Sequence, residues 1–549
     1  MEKRSLKVVN SGMSPDTFSI LVSAFRRHAA LRSVPEDAGG YSAVVYTDTS
    51  LSGGRYVIEA GPNVAVIRGE SDLSLFAGLG RFLDESSFDG EGGFEPFTGV
   101  IDFTPAKPLR GMYFATHFHN FYHDAPIEKV YEVIEDLALR GCNTLFVWFD
   151  MHHFASMDDP GAEELTERLR AMLKYANRIG IAGAFTMLAN EAFSSSPESL
   201  RAEWTAQNGY TKAPGDHFHV EICPSKPGGV REILAERRAM LERFADLDIR
   251  YVSYWPYDQG GCTCEKCSPW GANGFLRLLP PFNDLIKEFW PKAGIILSTW
   301  YFDRFHPGEW AAFYPHMTDG TLSGVEYVMS FFFNGDMPGI LREKGIPDGI
   351  KLVDFPEISM YSCSPWGGFG ASALPAFLDR TNAQTGSLYC GGYPYSEGIF
   401  EDVNKYLTLT YYSGRYPNAA DAVRSYVRYE FCVFGAALDE LTGAILRSEK
   451  TLARKRVGTG PVRYEIADPE DAGHIYSVFC KYNALLPEKI TKGWKFRLWY
   501  LRAVIDRELV SCDGIPLRSE IAQRAMRELC DIYSAGDSTK SWVKPPLGI

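Results

Sequence analysis

Between residue 110 and about residue 400, short apolar runs alternate with longer stretches whose apolar residues recur at helical spacing. The runs fall at 111–115, 144–149, 182–187, 251–254, 294–298, 327–331, 351–355 and 387–390. Between several of them, at 127–140, 163–178 and 231–247, apolar positions return every three or four residues, as in a helix packed on one face. Strands that alternate with helices pair in parallel through right-handed crossovers. Eight such units in roughly 300 residues predict an α/β fold closed into a (β/α)₈ TIM barrel. A doubly wound open sheet is the alternative.

At 549 residues the chain exceeds what one hydrophobic core supports, so flanking domains are expected. Residues 1–108 read as a small N-terminal α/β domain, with strands at 42–46, 56–60 and 65–69 and a helix opened by Ser71 and running to Leu83. The Gly-, Phe- and Pro-rich passages at 89–94 and 105–108 read as linker. Residues 109–416 hold the barrel. From 417 to 549 the chain reads as a helical C-terminal domain, with apolar stripes at 419–434, 437–452, 469–486 and 497–510 and little catalytic content.

A net charge of −13 argues against nucleic acid or an anionic membrane as partner. No apolar stretch is long enough to span a bilayer, and Met1 to Val9 lacks the apolar centre of a signal peptide. The chain as written reads as cytoplasmic, and a secreted protein trimmed of its leader reads the same. The eleven cysteines are odd in number and mostly scattered, which suits reduced thiols better than a disulfide framework. A homo-oligomer is compatible with everything above.

A barrel carries its active site at the carboxyl ends of its strands, and those positions are rich here. They supply His117, His119 and Asn120, then Asp150, His152 and His153, then Asn190 and Glu191. Trp255, Tyr257 and Asp258 follow the fourth run, and Trp300, Tyr301 and Asp303 the fifth. Asn334 and Asp336, Glu357, and finally Tyr393, Tyr395 and Glu397 complete the rim. Glycosidic cleavage needs one carboxylic acid to protonate the leaving oxygen and a second carboxylate as nucleophile or base. Aromatic faces stack on a sugar, while Asn, Asp and His bind its hydroxyls. The rim offers all of these.

Asp258 is the first candidate acid, since Trp255, Pro256 and Tyr257 would desolvate it and raise its pKa. Its bland alternative is an Asp that opens the Gln259-Gly260-Gly261 turn. Glu397 and Glu357 are the candidate partners. For Glu397 the alternative is a first-turn helical Glu capped by Ser396. The substrate-binding expectations are His117, His119, Asn120, Asp150, Glu191, Trp255, Tyr257, Trp300, Tyr301, Tyr393 and Tyr395. Asn190-Glu191 resembles the Asn-Glu acid of another group of barrel hydrolases, but it follows strand three rather than four and so reads as rim. His117 and His119, two apart on an extended segment, are expected to point the same way.

A two-carboxylate reaction requires no cofactor. Cys262, Cys264 and Cys267 form C-x-C-x-x-C, which would supply three thiolates to a structural zinc; no fourth ligand is visible, and three reduced thiols in a turn are the alternative.

Together these residues resemble a glycoside hydrolase architecture: a small α/β domain, a barrel opening with Arg110-Gly111-Met112-Tyr113, and a helical tail. It is similar to the group that contains family 67 α-glucuronidases and family 20 and 84 hexosaminidases, and residues 75–83 resemble the helix that ends their N-terminal domain. The likeness covers residues 40–420 in outline. Families 20 and 84 carry Asp-Glu and Asp-Asp after strand four, whereas this chain reads Asp258-Gln259. The resemblance therefore argues against substrate-assisted cleavage of N-acetyl sugars. It is compatible with an α-glucuronidase-like pairing of Asp258 with Glu357 or Glu397.

The expected function is a glycoside hydrolase acting on an oligosaccharide or glycoside, as in polysaccharide degradation, with carbohydrate as its partner. Alternatives are a non-hydrolytic carbohydrate-binding or lyase or isomerase barrel, and a metal-dependent hydrolase using His117, His119 and Asp150.

Overall fold

The computed structural model describes residues 1–36, 40–117, 119–210, 220–257, 260–330, 335–359, 370–452, 457 and 459–535. The chain opens with β1 (Leu6–Asn10), α1 (Pro15–Leu31), β2 (Tyr41–Thr47), β3 (Tyr56–Ala60), β4 (Val64–Gly69) and α2 (Asp72–Glu85). A short hairpin of β5 (Ser87–Phe88) and β6 (Phe94–Glu95) leads to β7 (Gly99–Phe103). The sheet order is β1-β2-β4-β3-β7, with β3 antiparallel to both its neighbours. Ser14 and Ser71 cap α1 and α2 by accepting from the backbone N–H of Thr17 and Ser74. β1, α1 and β7 lie in stretches that the sequence pattern did not mark.

The barrel follows. Its strands are β8 (Leu109–Phe114), β9 (Thr144–Trp148), β10 (Ala182–Leu188), β11 (Ile249–Trp255), β12 (Gly294–Ser298), β13 (Val325–Met329), β14 (Leu352–Asp354) and β15 (Tyr389–Gly392). Each pairs in parallel with the next, and β15 pairs back onto β8 through Gly391↔Leu109 and Gly392↔Arg110. That ring excludes the open sheet. Its seam depends on Gly391, which has φ +117° and where a Cβ would lie 1.7 Å from the Leu109 carbonyl oxygen. Between the strands run α3 (Phe121–Asp124) with α4 (Ile127–Leu139), α5 (Pro160–Ile179), α6 (Gly229–Glu242), α7 (Gly274–Phe289), α8 (Glu309–Phe313), α9 (Gly339–Lys344) and α10 (Pro375–Thr385). β16 (Tyr395–Ser396) then pairs with β8, and α11 (Asp402–Ser413) closes the last unit.

Strands covered on both faces are apolar throughout, as in β8 and β12, where every residue is buried. Alternate strands fill the barrel with an aromatic layer. Phe146 stacks on Tyr393 at 4.0 Å between centroids and lies 6.5 Å from Tyr251, which meets Tyr327 at 5.9 Å.

Beyond the barrel come α12 (Ala419–Phe431), α13 (Gly435–Arg447), α14 (Pro469–Leu485), α15 (Glu488–Thr491), α16 (Trp494–Ser511) and α17 (Glu520–Tyr533). Among the described residues no helix is long and apolar enough to cross a membrane.

A buried ionic cluster joins the three regions. Asp136 on α4 accepts from Arg27 at 2.7 Å, His28 at 3.0 Å and Lys495 at 3.2 Å. Arg140 pairs with Asp402 at 2.8 Å and Glu430 at 2.9 Å, and Glu430 also meets Lys495 at 2.5 Å. Burial pushes the His28 imidazole down to about 4, so it sits there neutral.

Candidate active site

Two loops at the top of β14 and β15 are stitched together. Glu357 forms a parallel bridge with Tyr395, whose N–H donates to the Pro356 carbonyl at 3.0 Å. The Ser359 hydroxyl donates to the Tyr395 carbonyl at 3.1 Å and accepts from the Glu397 N–H at 3.0 Å. The Glu401 carboxylate then gathers the Ser396 hydroxyl at 2.6 Å and the N–H groups of Glu397 and Gly398 at 2.8 and 2.9 Å. Glu397 precedes α11 by a full turn, so Glu401, not Glu397, is the carboxylate at that helix start.

This stitching brings Glu357 and Glu397 into one neighbourhood, but with different access. Glu397 is 1% exposed and accepts from the Tyr395 hydroxyl at 2.8 Å. Burial holds its carboxyl well above the usual range, a shift that the Tyr395 hydrogen bond opposes and that Glu401 and Glu357 add to. Glu357 is only partly buried. Of the two it is the more exposed. Tyr533, on α17, donates to the Glu397 carbonyl at 2.6 Å and accepts from the Phe121 N–H at 3.1 Å. The C-terminal helices therefore hold the site loop, a contribution the sequence did not suggest.

An aromatic floor adjoins the carboxylates. Trp255 meets Trp300 at 5.7 Å and Phe355 at 4.9 Å, Trp300 stacks on Tyr301 at 4.7 Å, and Tyr395 stacks on Tyr113 at 5.5 Å. Tyr113 and Phe355 complete it without having stood out in the sequence, because they sit inside the apolar runs.

On the opposite side, His117 lies 3.2 Å from the Tyr395 hydroxyl, and burial lowers its pKa to about 4. His152 Nδ1 sits between Asp150 at 2.7 Å and Glu191 at 3.0 Å, and Glu191 also accepts from Trp148 Nε1 at 3.2 Å. The two carboxylates outweigh burial and raise His152 to about 10, so it is an imidazolium at neutral pH. His153 reaches the other Asp150 oxygen at 3.0 Å. Changing Glu191 to Gln removes one of the two charges, so the His152 pKa is expected to fall by at least about one unit, read by an NMR titration of its ring protons.

Several sequence expectations need correction. Tyr393 is fully buried inside the barrel, where its ring packs on Phe146 and its hydroxyl meets Ser253 at 2.7 Å. Tyr257 is equally buried and donates to Glu309 at 2.9 Å, in a site where burial lifts the Glu309 carboxyl to about 8. Neither ring is available to stack on a sugar, since both turn into the core. His117 and His119 do not act together: His119 has φ +50°, which ends the extended alternation, and it stacks on His123 at 4.6 Å and meets Asp124 at 3.2 Å. Among the described residues His117, His119 and Asp150 form no common ligand set, because His119 groups with His123 and Asp124, and Asp150 with His152 and His153.

Asn120 is buried at the start of α3, and neither polar atom of its side chain has a partner among the described residues. Asn190 bonds the Ile222 and Gly261 carbonyls at 3.1 and 2.8 Å and accepts from the Gly261 N–H at 2.9 Å, so it ties the strand-three loop to the strand-four loop. Asp258, Gln259 and Asn334 lie outside the described residues.

No protein-family model matches the chain, and no curated protein matches its sequence. Its structure does have relatives. A family 89 glycoside hydrolase from Clostridium perfringens aligns with a TM-score of 0.59 at 12% identity, over 97% of this chain and 68% of that one. The chain shares its fold with glycoside hydrolases. A GH138 enzyme targeting pectin rhamnogalacturonan II aligns with a TM-score of 0.58 at 12% identity, over 97% of this chain and 71% of that one. A family 20 exo-β-N-acetylglucosaminidase from Vibrio harveyi gives 0.51 at 12% identity, over 78% and 74%.

Proposed function

We propose that this barrel hydrolyses a glycosidic bond, with Glu357 as the carboxylate that attacks the anomeric carbon or activates water and Asp258 as the acid that protonates the leaving oxygen. The observation that carries this reading is the partly exposed Glu357, bridged to Tyr395, whose ring is linked through Phe355 to Trp255 and Trp300. In this reading a sugar packs on the partly exposed Tyr301 ring and the small exposed edges of Trp255 and Trp300, and Asp150 and the cationic His152 face its hydroxyls. Glu397 acts through another group: it receives the Tyr395 hydroxyl and so keeps the Glu357 loop in register. His117, hydrogen-bonded to the same hydroxyl, supports that position from the other side.

The fold shared with family 89, 138 and 20 enzymes supports a glycan substrate. The targets of those enzymes differ, from GlcNAc-α-1,4-galactose to rhamnogalacturonan II, so the panel that tests the proposal spans N-acetylhexosaminides, neutral hexosides and uronic acid glycosides of both anomers. Product detection is expected to show cleavage of at least one of them. Binding of sugars with no bond broken anywhere in the panel would favour a non-hydrolytic barrel.

A further inference from the structure

We infer that the chain carries a structural zinc site made of four thiolates, Cys262, Cys264 and Cys267 from the loop after β11 and Cys223 from the excursion after β10. The sequence offered three of these ligands in a row. The fold brings the fourth.

All four sulfurs lie within 4.8 Å of one another. Cys223 Sγ is 3.8 Å from both Cys264 Sγ and Cys267 Sγ. Zinc–thiolate bonds of about 2.3 Å in a tetrahedron place sulfurs about 3.8 Å apart, whereas a disulfide requires about 2.05 Å. Cys223, Cys262 and Cys267 are fully buried and Cys264 is half-buried, so the cluster has a closed interior. An all-sulfur tetrahedral set selects zinc over magnesium or calcium and leaves no open position for an activated water. The role is therefore structural.

The polypeptide around the sulfurs is arranged as a ligand shell. The Glu203 N–H donates to Cys262 Sγ at 3.4 Å, and the Ser225 hydroxyl lies 3.0 Å from Cys223 Sγ and 3.3 Å from Cys264 Sγ. The Cys267 and Ser268 N–H groups both donate to the Cys264 carbonyl at 3.0 Å, which closes the turn that presents two of the sulfurs. Gly261, just before the turn, has φ +116° and lies against Trp204 and Tyr257, so only glycine enters it without strain.

The site sits between two rim excursions. One begins with Asn190 and Glu191, and the other contains Asp258 in its sequence. Thr263 and Glu203 add two backbone and side-chain bonds across the same seam, at 2.8 and 2.9 Å. A metal at this point would lock the strand-three and strand-four loops to each other, while the sulfurs belong to neither the carboxylates nor the aromatic floor.

The test uses the full chain expressed in zinc-supplemented medium. Elemental analysis is expected to return one zinc per chain, and replacement by cobalt should give the thiolate-to-metal charge-transfer bands and intense visible bands of a tetrahedral cobalt thiolate centre. Cys223→Ser should lose most of the bound zinc, and a strong chelator should lower the Tm of the wild-type protein by at least about 5 °C. Because that variant also risks misfolding, the cobalt spectrum of the wild-type chain stands as an independent readout. A chain with no metal and a chelator-insensitive Tm, a disulfide among these four cysteines, or iron in place of zinc would overturn the assignment.

Discussion

Glu357→Gln is expected to lower turnover at least about a hundredfold with little change in Tm. Loss of a positioned acid, base or nucleophile commonly costs that much, because no other group within reach replaces it. The fold should tolerate the change, since the amide is nearly the same size as the carboxylate, the side chain is partly exposed and the backbone bridge to Tyr395 is unaffected. Glu397→Gln is expected to cost less than about tenfold. Burial favours the neutral form of its carboxyl, which the amide resembles, and the amide keeps the oxygen that accepts from Tyr395. Initial rates on the substrate found in the panel, with circular dichroism melts of each variant, separate the two roles. A hundredfold loss in Glu397→Gln with near wild-type rates in Glu357→Gln would exchange them.

The second large effect concerns stability. Asp136→Ala is expected to destabilise the protein by about 3 kcal/mol, because it removes the buried anion shared by Arg27, His28 and Lys495 and leaves only Glu135 beside Arg27 and Glu430 beside Lys495. Urea unfolding should show the loss as a lower midpoint at unchanged slope. The same cluster sets an acid limit. His28 is held at about 4 in the folded state against about 6.5 unfolded, so the unfolded chain binds its proton first as pH falls. Its contribution is complete above about pH 6.5 and is lost between there and about pH 4, at roughly 1.4 kcal/mol per unit. Asp136, held well below the ordinary carboxylate range by its cations despite burial, loses its contribution only below its unfolded value near 3.9. Stability should therefore fall in two stages on acidification, and His28→Gln should remove part of the first, the buried His117, also lowered to about 4, supplying a comparable share.

The barrel was legible because parallel strands covered on both faces must be apolar runs, and all eight runs named from the sequence contain or overlap a barrel strand. The least accurate was the last. A run read at 387–390 proved to be β15 at Tyr389–Gly392, because Gly391 and Gly392 look like a turn but sit in the strand that closes the ring. α17 carries Ala522, Ala525, Met526, Leu529 and Tyr533 on one buried face, a helical stripe that the pattern contained but that went unmarked.

The site was legible as a set of strand ends and not as a geometry. Strand periodicity states which residues follow a strand, but not whether a ring there turns up to the mouth or down into the barrel, and Tyr257 and Tyr393 turned inward. Cys223 stands alone in Ile222-Cys223-Pro224, far upstream of its partners, so only the folding of two loops against each other exposes it as a ligand. Glu401 was hidden for the opposite reason. It lies four residues from the more conspicuous Glu397, at the start of α11, and its carboxylate gathers the Glu397 and Gly398 N–H groups of the turn before that helix.

In the proposed reaction Glu357 and Asp258 flank one sugar. A crystal structure with a bound monosaccharide or iminosugar measures this directly. The ring should stack beside Trp255 and Trp300, with its anomeric carbon between the two carboxyl groups and their separation within about 5–9.5 Å. A sugar bound away from the β14 and β15 strand ends, or carboxyl groups more than about 10 Å apart around it, would contradict the account.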